Sequence, residues 1–244
     1  MTETPTRSAR RRTTRAAARR PSGRSVRLRT VLIGVGVVIG VLAIIAVAWL
    51  SPLLSVRTVE VVGAETIPRE DVLAQLAVAE GTPLLRVDTA AAAQRVAELP
   101  RAAEVRVQRV YPSTVRVTVT ERVAEVYFEA PDGTHSVDAE GVDFAVEPPP
   151  MQTPRLVTAT PGTGDPATVA ALEVLGVLPP ELRFQVTEVA AASPTDISLT
   201  LLDGRVVVWG GTDRSDRKAA VVTHLLTQPG QTYDVAAPDL PTVR

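Results

Sequence analysis

Two histidines, His135 and His224, are the side chains of this 244-residue sequence that titrate near neutral pH, so a search for chemistry begins with them. They fall in different expected elements, and neither has a partner at metal-ligand spacing. His224 stands beside the buried stripe of the last expected helix and reads as structural. Asp138, Glu140 and Asp143 bring three carboxylates together, the residue type that general acid–base chemistry uses. They flank a turn at Glu140-Gly141, however, which is where solvated acids gather. The serines show no G-x-S-x-G elbow with a positioned base. Gly162-x-Gly164 lacks the preceding strand and following motif of a phosphate loop, and Gly210-Gly211 reads as a strand exit. With no cysteine there is no thiol nucleophile, no disulfide framework and no lipidated cysteine anchor. The expectation is a protein with no catalytic, cofactor-binding or metal-binding residues, no cofactor and no small-molecule substrate. It should work by binding other macromolecules.

The elements that would hold a binding surface are laid out by charge and hydropathy. Residues 1–30 contain ten of the 26 basic side chains and one of the 27 acids. Residues 51–244 are left with 16 basic and 26 acidic side chains, a net of −10. Between them Val31 to Leu50, VLIGVGVVIGVLAIIAVAWL, is an uncharged apolar run of twenty residues. At about 1.5 Å per residue such a helix spans about 30 Å, the thickness of a bilayer's hydrocarbon core. The predicted anchor therefore runs from Val31 to Leu50, with Trp49 as an interfacial aromatic at its far end. The preceding arginines place the N-terminus in the cytoplasm by the positive-inside rule, a single-pass type II topology. Ala46-Val47-Ala48 has the small-x-small pattern of a cleavage site, but the apolar run exceeds the usual 7–15 residues of a signal peptide, which favours an uncleaved anchor. Gly36 and Gly40 form a G-x-x-x-G pair suited to pairing with another helix. The basic tail carries no interleaved aromatics. It reads as a disordered, lipid-facing segment and not as a nucleic-acid binder.

Beyond Pro52 the pattern becomes that of a folded α+β region. Thr58 to Val62 reads as a strand ended by Gly63. Thr66-Ile67-Pro68 opens a helix with Val72, Leu73, Leu76 and Ala77 on its apolar stripe, stopped by Gly81 and Pro83. Asp88 caps a second helix that carries Val96 and Leu99 and ends at Pro100. Glu104 to Val110 and Thr114 to Glu121 follow as a hairpin. Val115, Val117 and Val119 alternate with Arg116, Thr118 and Thr120, the period of two of a half-buried strand. The order is β-α-α-β-β, with both helices covering the valine face.

Further on, a strand at Val126-Tyr127-Phe128 turns at Asp132-Gly133 and returns through His135 to Asp138. A proline-rich stretch (Pro148, Pro149, Pro150, Pro154) precedes a helix over 166–178. Strands are expected over 182–189, 197–202 and 205–209, the last two joined at Asp203-Gly204. A helix over 216–226 and a final strand Tyr233-Asp234-Val235 complete the pattern.

Residues 56–122, from VRTVEVVG to YPSTVRVTVTER, resemble the POTRA domain of the bacterial cell-division family FtsQ/DivIB. The shared features are the Val-x-Gly strand end, Gly-x-x-Leu-Leu-x-Val-Asp, the Leu-Pro helix end, and a Tyr-Pro-x-x-Val-x-Val hairpin closing on Glu-Arg. SVDAEGVDF and LLDGRVVVWGG…TYDV are similar to elements of the same family's C-terminal domain. Arg101-Ala102-Ala103 and Val123 depart from the family pattern, locally. The resemblance, running over about residues 31–240, implies a basic tail (1–30), one transmembrane helix (31–50), a POTRA domain (54–122) and a β-rich domain with peripheral helices (123–240). It also implies a scaffold of the division septum that binds the bitopic partners FtsB and FtsL, with FtsW and the septal transpeptidase as further partners. The high alanine, arginine, valine and proline content points to a GC-rich genome and so to an actinobacterium.

Docking would fall on an exposed sheet edge, where unpaired N–H and C=O groups accept a partner strand. Tyr233, Asp234 and Val235 are the expected edge, a role compatible with Tyr233 and Val235 packing inward on the neighbouring strand; Lys218 is a candidate rim contact, although a lone lysine opening a helix reads first as solvated. Two other classes are compatible with parts of the pattern: a membrane-anchored extracytoplasmic enzyme, and a POTRA-containing secretion or assembly factor. The second would need a large β-barrel for which residues 123–244 leave no room.

Overall fold

The computed structural model describes residues 30–42 and 54–244. The chain divides into two compact units, Met1–Ser51 and Pro52–Arg244. In the first, residues 30–42 are helical (α1), and Val31, Gly36 and Gly40 are exposed on it. A Cβ built on Gly36 or Gly40 would meet nothing within 4 Å. The basic tail before residue 30, the Ala46-Val47-Ala48 triplet, Trp49 and Leu50 lie outside the described residues. Among the described residues no helix is long and apolar enough to cross a membrane.

The second unit holds two sheets with separate cores. The first sheet is built from β1 (Thr58–Val62), β2 (Ala102–Val110) and β3 (Thr114–Glu121), in the order β1-β3-β2. The β2–β3 hairpin is antiparallel, while β1 joins β3 in parallel from the other side. The alternating strand is thus the centre of its sheet. Val115, Val117 and Val119 are at most 2% exposed, each burial contributing about 2 kcal/mol. They face α2 (Arg69–Leu76) and α3 (Thr89–Val96). On the opposite face Arg116 pairs with Glu60 across the strands at 2.9 Å. The Asp88 carboxylate caps α3 by accepting from the Ala90 and Ala91 N–H groups. Helix α2 ends earlier than Gly81, because Ala77 turns left-handed at φ 49°. Glu121 accepts from the backbone N–H groups of Glu65, Thr66 and Ile67 and from the Thr66 hydroxyl. Partial burial pushes its carboxyl up, but the Thr66 hydroxyl and those N–H groups together hold it below its ordinary value.

The second sheet has nine strands: β4 (Val126–Ala130), β5 (Gly133–Val137), β6 (Asp143–Val146), β7 (Arg155–Val157), β8 (Val186–Ser193), β9 (Asp196–Leu201), β10 (Val206–Gly210), β11 (Thr232–Asp234) and β12 (Thr242–Val243). Their order is β12-β11-β10-β9-β8-β7-β4-β5-β6. The meander β8-β9-β10 is antiparallel; short β7 joins it to the β4-β5-β6 meander through two parallel contacts. Helix α4 (Pro166–Val177), capped by Asp165 and started by a proline at its first position, packs on β8. Where a strand was expected from Leu182, Pro180 to Arg183 instead form a helical turn, α5, and β8 starts at Val186. Proline at the first helical position and Glu181 in the first turn favour that outcome.

The two sheets of the second unit are tied by charge. Arg122 pairs with Asp138 and also donates to the Pro100 carbonyl at 3.1 Å; Arg101 pairs with Glu147. Asp138 was expected as a solvated turn acid. Its side chain is 3% exposed, and it accepts from the N–H groups of Glu140 at 3.0 Å and Val142 at 2.8 Å. The burial follows from the Arg122 partner, which arrives from the other sheet.

Candidate partner-docking edge

Strand β10 enters the second core with Val207 and Trp209 fully buried. The indole N–H of Trp209 donates to Ser215 Oγ at 3.3 Å, and Ser215 in turn donates to the Thr212 carbonyl at 2.8 Å. That pair fixes the start of α6 (Ser215–Leu225). The chain then returns through α6 to lay β11 parallel to β10, with Val207 opposite Tyr233. A parallel neighbour requires such a crossover.

Tyr233 is fully buried, and its hydroxyl donates to the Gln228 carbonyl at 2.7 Å, with the Gly230 carbonyl at 3.1 Å. The Arg205 guanidinium lies 5.6 Å from the centre of the Tyr233 ring. Arg205 also donates to the Leu226 carbonyl at 2.8 Å and to Asp203 at 2.6 Å. The Arg205 backbone N–H and guanidinium hold the Asp203 carboxyl below its ordinary value.

The expected edge is corrected here. Tyr233 and Asp234 do not border the sheet, because β12 pairs with them antiparallel, Tyr233 opposite Val243 and Asp234 opposite Thr242. Val235 lies just past β11, fully buried, and its N–H donates to the Val208 carbonyl. Residues 236–241, which include Pro238 and Pro241, turn the chain back so that Thr242-Val243 can pair. Lys218 is corrected as well. It is fully buried, not solvated, and its ammonium donates to the Gly211 carbonyl at 2.8 Å and to Asp213 at 3.3 Å. That hydrogen bond, then the charge behind it, holds the Asp213 carboxyl down. Lys218 fastens the β10–α6 turn.

The border is therefore β12. Arg244 N–H donates to the Thr232 carbonyl and Thr232 N–H donates to the Arg244 carbonyl, both at 2.9 Å. Backbone groups alternate along a strand, so the N–H and C=O of Val243 point away from β11, out of the sheet. Gly230 makes room for this strand, since a Cβ there would overlap the Val243 side chain. Beside it Leu240 is 81% exposed, and Asp239 pairs with Arg214 at 2.6 Å and with Arg217. The opposite border is β6, where the Glu147 N–H donates inward to Thr134, which leaves the Val146 N–H outward.

The residues first considered for chemistry do not converge on one site. His224 is exposed on α6. His135 lies on β5, stacked on Phe128 with ring centres 4.8 Å apart, between Asp143 at 2.7 Å and Asp132 at 3.1 Å. Hydrogen bonding to Asp143 raises its pKa above 6.5 against partial burial, with Asp132 adding to the effect. Among the described residues no cluster of three or more His, Cys, Asp or Glu could hold a metal ion. Thr242, Val243 and Gly230 were missed by pattern reading. The one signal for them is a β-branched pair after Pro241, shorter than the four residues at which a strand pattern becomes readable.

The second unit thus joins a helix-backed three-stranded module to a nine-stranded sheet with two open borders, β12 and β6. Residues 54–122 match the POTRA domain, FtsQ-type, and residues 126–240 match the C-terminal domain of cell division protein FtsQ/DivIB. The cell division protein FtsQ of Mycolicibacterium smegmatis is 54% identical over 196 residues, covering 80% of this chain and 59% of that protein. The FtsQ of Mycobacteroides abscessus is 49% identical over 217 residues, covering 89% and 70%. That of Corynebacterium glutamicum is 34% identical over 219 residues, covering 88% and 99%. The chain belongs to the FtsQ/DivIB family of cell-division proteins. These relatives are actinobacterial, as composition suggested, and the chain spans about three fifths of the length of the first of them.

Proposed function

We propose that this chain is a non-enzymatic, single-pass membrane scaffold of the division septum. The apolar run Val31–Leu50 is its anchor, with the arginine-rich tail cytoplasmic and residues 51–244 outside the membrane. The distal sheet captures an FtsB/FtsL-type bitopic partner by strand addition at β12, and through that pair the chain controls septal wall synthesis by FtsW and the septal transpeptidase. The observation that carries this reading is the outward N–H and C=O of Val243 at the border of the nine-stranded sheet. Tyr233 and Asp234 stand directly behind that strand and hold it in register, the Val235 N–H fastens the end of β11 to β10, and Lys218 fixes the β10–α6 turn. Their contribution to binding is through support, Asp234 being the half-buried member. Family membership and the printed names of the relatives support the division role.

The test is reconstitution of the full chain in nanodiscs with the outer segments of candidate partners, with cross-linking from a cysteine placed at Thr242. The chain has no other cysteine, so cross-links report that strand alone. Capture of an FtsB-type segment at position 242 is the expected result. Capture elsewhere on the sheet, with none at 242, would remove the β12 reading.

A further inference from the structure

The end of the POTRA module that the chain enters first has a chemistry unlike the rest of the outer region. Four segments meet there. Ser55 bridges Pro83, and Val56 and Gly81 exchange backbone bonds with the 81–82 turn and the entering strand. The N–H groups of Arg57 and Thr58 both reach the Ser113 carbonyl in the β2–β3 turn. Arg109 donates to the carbonyls of Leu84 at 2.9 Å and Val87 at 2.6 Å, holding the 84–87 turn beside the hairpin. The result is a rigid tip that presents Tyr111, 58% exposed, Leu85, 36% exposed, and exposed Pro112.

Charge at this tip runs against the rest of the region. Arg57, Arg86 and Arg109 are exposed there, Arg109 with its guanidinium on the 84–87 turn; the acids are Glu80 and Asp88, and Asp88 is engaged in capping α3. The formal balance is +1, on a region (51–244) whose net is −10. An exposed tyrosine, a leucine and arginines together are the side chains that settle at a headgroup layer: the ring and aliphatic carbon enter the interface while guanidinium groups meet phosphates.

Covalent reach adds an independent argument. Ser55 follows the last residue of the apolar run, Leu50, by five residues, so at about 3.5 Å per residue it lies within roughly 18 Å of that run's end.

We propose that the tip formed by Arg57, Leu85, Arg86, Arg109 and Tyr111 docks on the anionic headgroup surface of the bilayer. It sets the angle at which the POTRA module, and the docking sheet beyond it, leave the membrane. The proposal rests on Val31–Leu50 being the membrane anchor, and the experiment separates the two. Full-length chains carrying Ser113→Cys or Val38→Cys are labelled with an environment-sensitive dye and placed in nanodiscs of neutral or 30% anionic phospholipid with quencher-bearing headgroups or acyl chains. The dye at 38 tests the anchor. The dye at 113 is expected to be quenched by headgroup quenchers about twofold more in anionic than in neutral discs, the excess vanishing at high salt or with Arg57→Gln/Arg86→Gln or Tyr111→Ser/Leu85→Ser. Quenching at 38 with none at 113 overturns the docking and leaves the anchor standing. Equal quenching at 113 in both lipids, unaffected by the substitutions, means tethered proximity only and also overturns it. No acyl-chain quenching at 38 removes the anchor and the docking together.

Discussion

Proline at position 243 separates strand addition at β12 from docking through side chains of the distal sheet. The Val243 N–H faces outward, and the bonds that hold β12 to β11 use Arg244 and Thr232. Val243→Pro therefore deletes no internal ladder bond, while a docked strand loses one donor and meets the pyrrolidine ring. A partner carbonyl left unpaired in a closed interface costs about 1–3 kcal/mol. That is roughly a 5- to 150-fold rise in Kd. Val243→Ala is the matched control: it keeps the N–H and loses the contact over Gly230, so it lowers stability by about 1 kcal/mol or less and leaves Kd nearly unchanged. Val146→Pro at the other border of the sheet, where the N–H also faces out, is the second control. Calorimetric titration of nanodisc-held full chains with an FtsB-type segment measures Kd, and thermal unfolding in the same discs reports folding. Equal Kd for the proline and alanine variants at 243 would refute strand addition at β12. A loss at Val146→Pro alone would move the docking to β6.

Three further outcomes follow from the polar contacts of the second unit. Tyr233→Phe leaves the Gln228 carbonyl without its buried donor and should lower unfolding free energy by about 1 kcal/mol, a shift of roughly 2–4 °C in Tm, read by circular dichroism. Arg122→Ala strands Asp138 between the two sheets; because Asp138 keeps two backbone N–H donors, the loss should be roughly 2–3 kcal/mol, and Arg122→Ala/Asp138→Asn should recover part of it in chemical denaturation. His135 gains its carboxylate partners only on folding, so its folded pKa stands above 6.5: the stabilisation is complete below about pH 6.5 and is lost as pH rises through the raised value. Wild type should therefore lose stability across that window relative to His135→Gln, and parallel profiles for the two would remove His135 as the cause.

What could be read from the sequence was local. The valine alternation of β3, the Asp88 helix cap and the turn at Asp203-Gly204 each depend on neighbours a few residues away, and each forms where the pattern puts it; the turn expected at Asp132-Gly133 closes one residue earlier, on Pro131-Asp132, with Gly133 already paired to Ala130. The parallel insertion of three-residue β7 between β8 and β4 has no such pattern, because its register is set by strands on both sides. Lys218 shows the same limit in a side chain. Nothing near it in the helix marks it as buried; its acceptors, the Gly211 carbonyl and Asp213, belong to the turn that α6 folds onto. The edge was misplaced by one strand for a related reason. Tyr233-Asp234-Val235 has readable strand chemistry, whereas Thr242-Val243 becomes a strand only because β11 is already in place to pair with it.

A border of two residues also bears on how strongly the proposed docking can hold. One outward residue offers two backbone hydrogen bonds, about 1 kcal/mol each in net terms, against an association cost of at least about 4 kcal/mol. Such an edge resists indiscriminate strand addition, since a short border strand is a poor template for a stray chain. The shortfall has to come from side chains beside the strand, where Leu240 is the most exposed apolar group, and from the proposed membrane anchor. A partner held in the same bilayer meets the edge at an effective concentration in the millimolar range, which converts a weak contact into an occupied one without any added surface. Occupancy measured by cross-linking at Thr242 should then be high when chain and partner share a disc and low when they occupy separate discs at equal bulk concentration. Equal occupancy in the two arrangements would mean that the edge and its flanks bind unaided, and that the membrane contributes location alone.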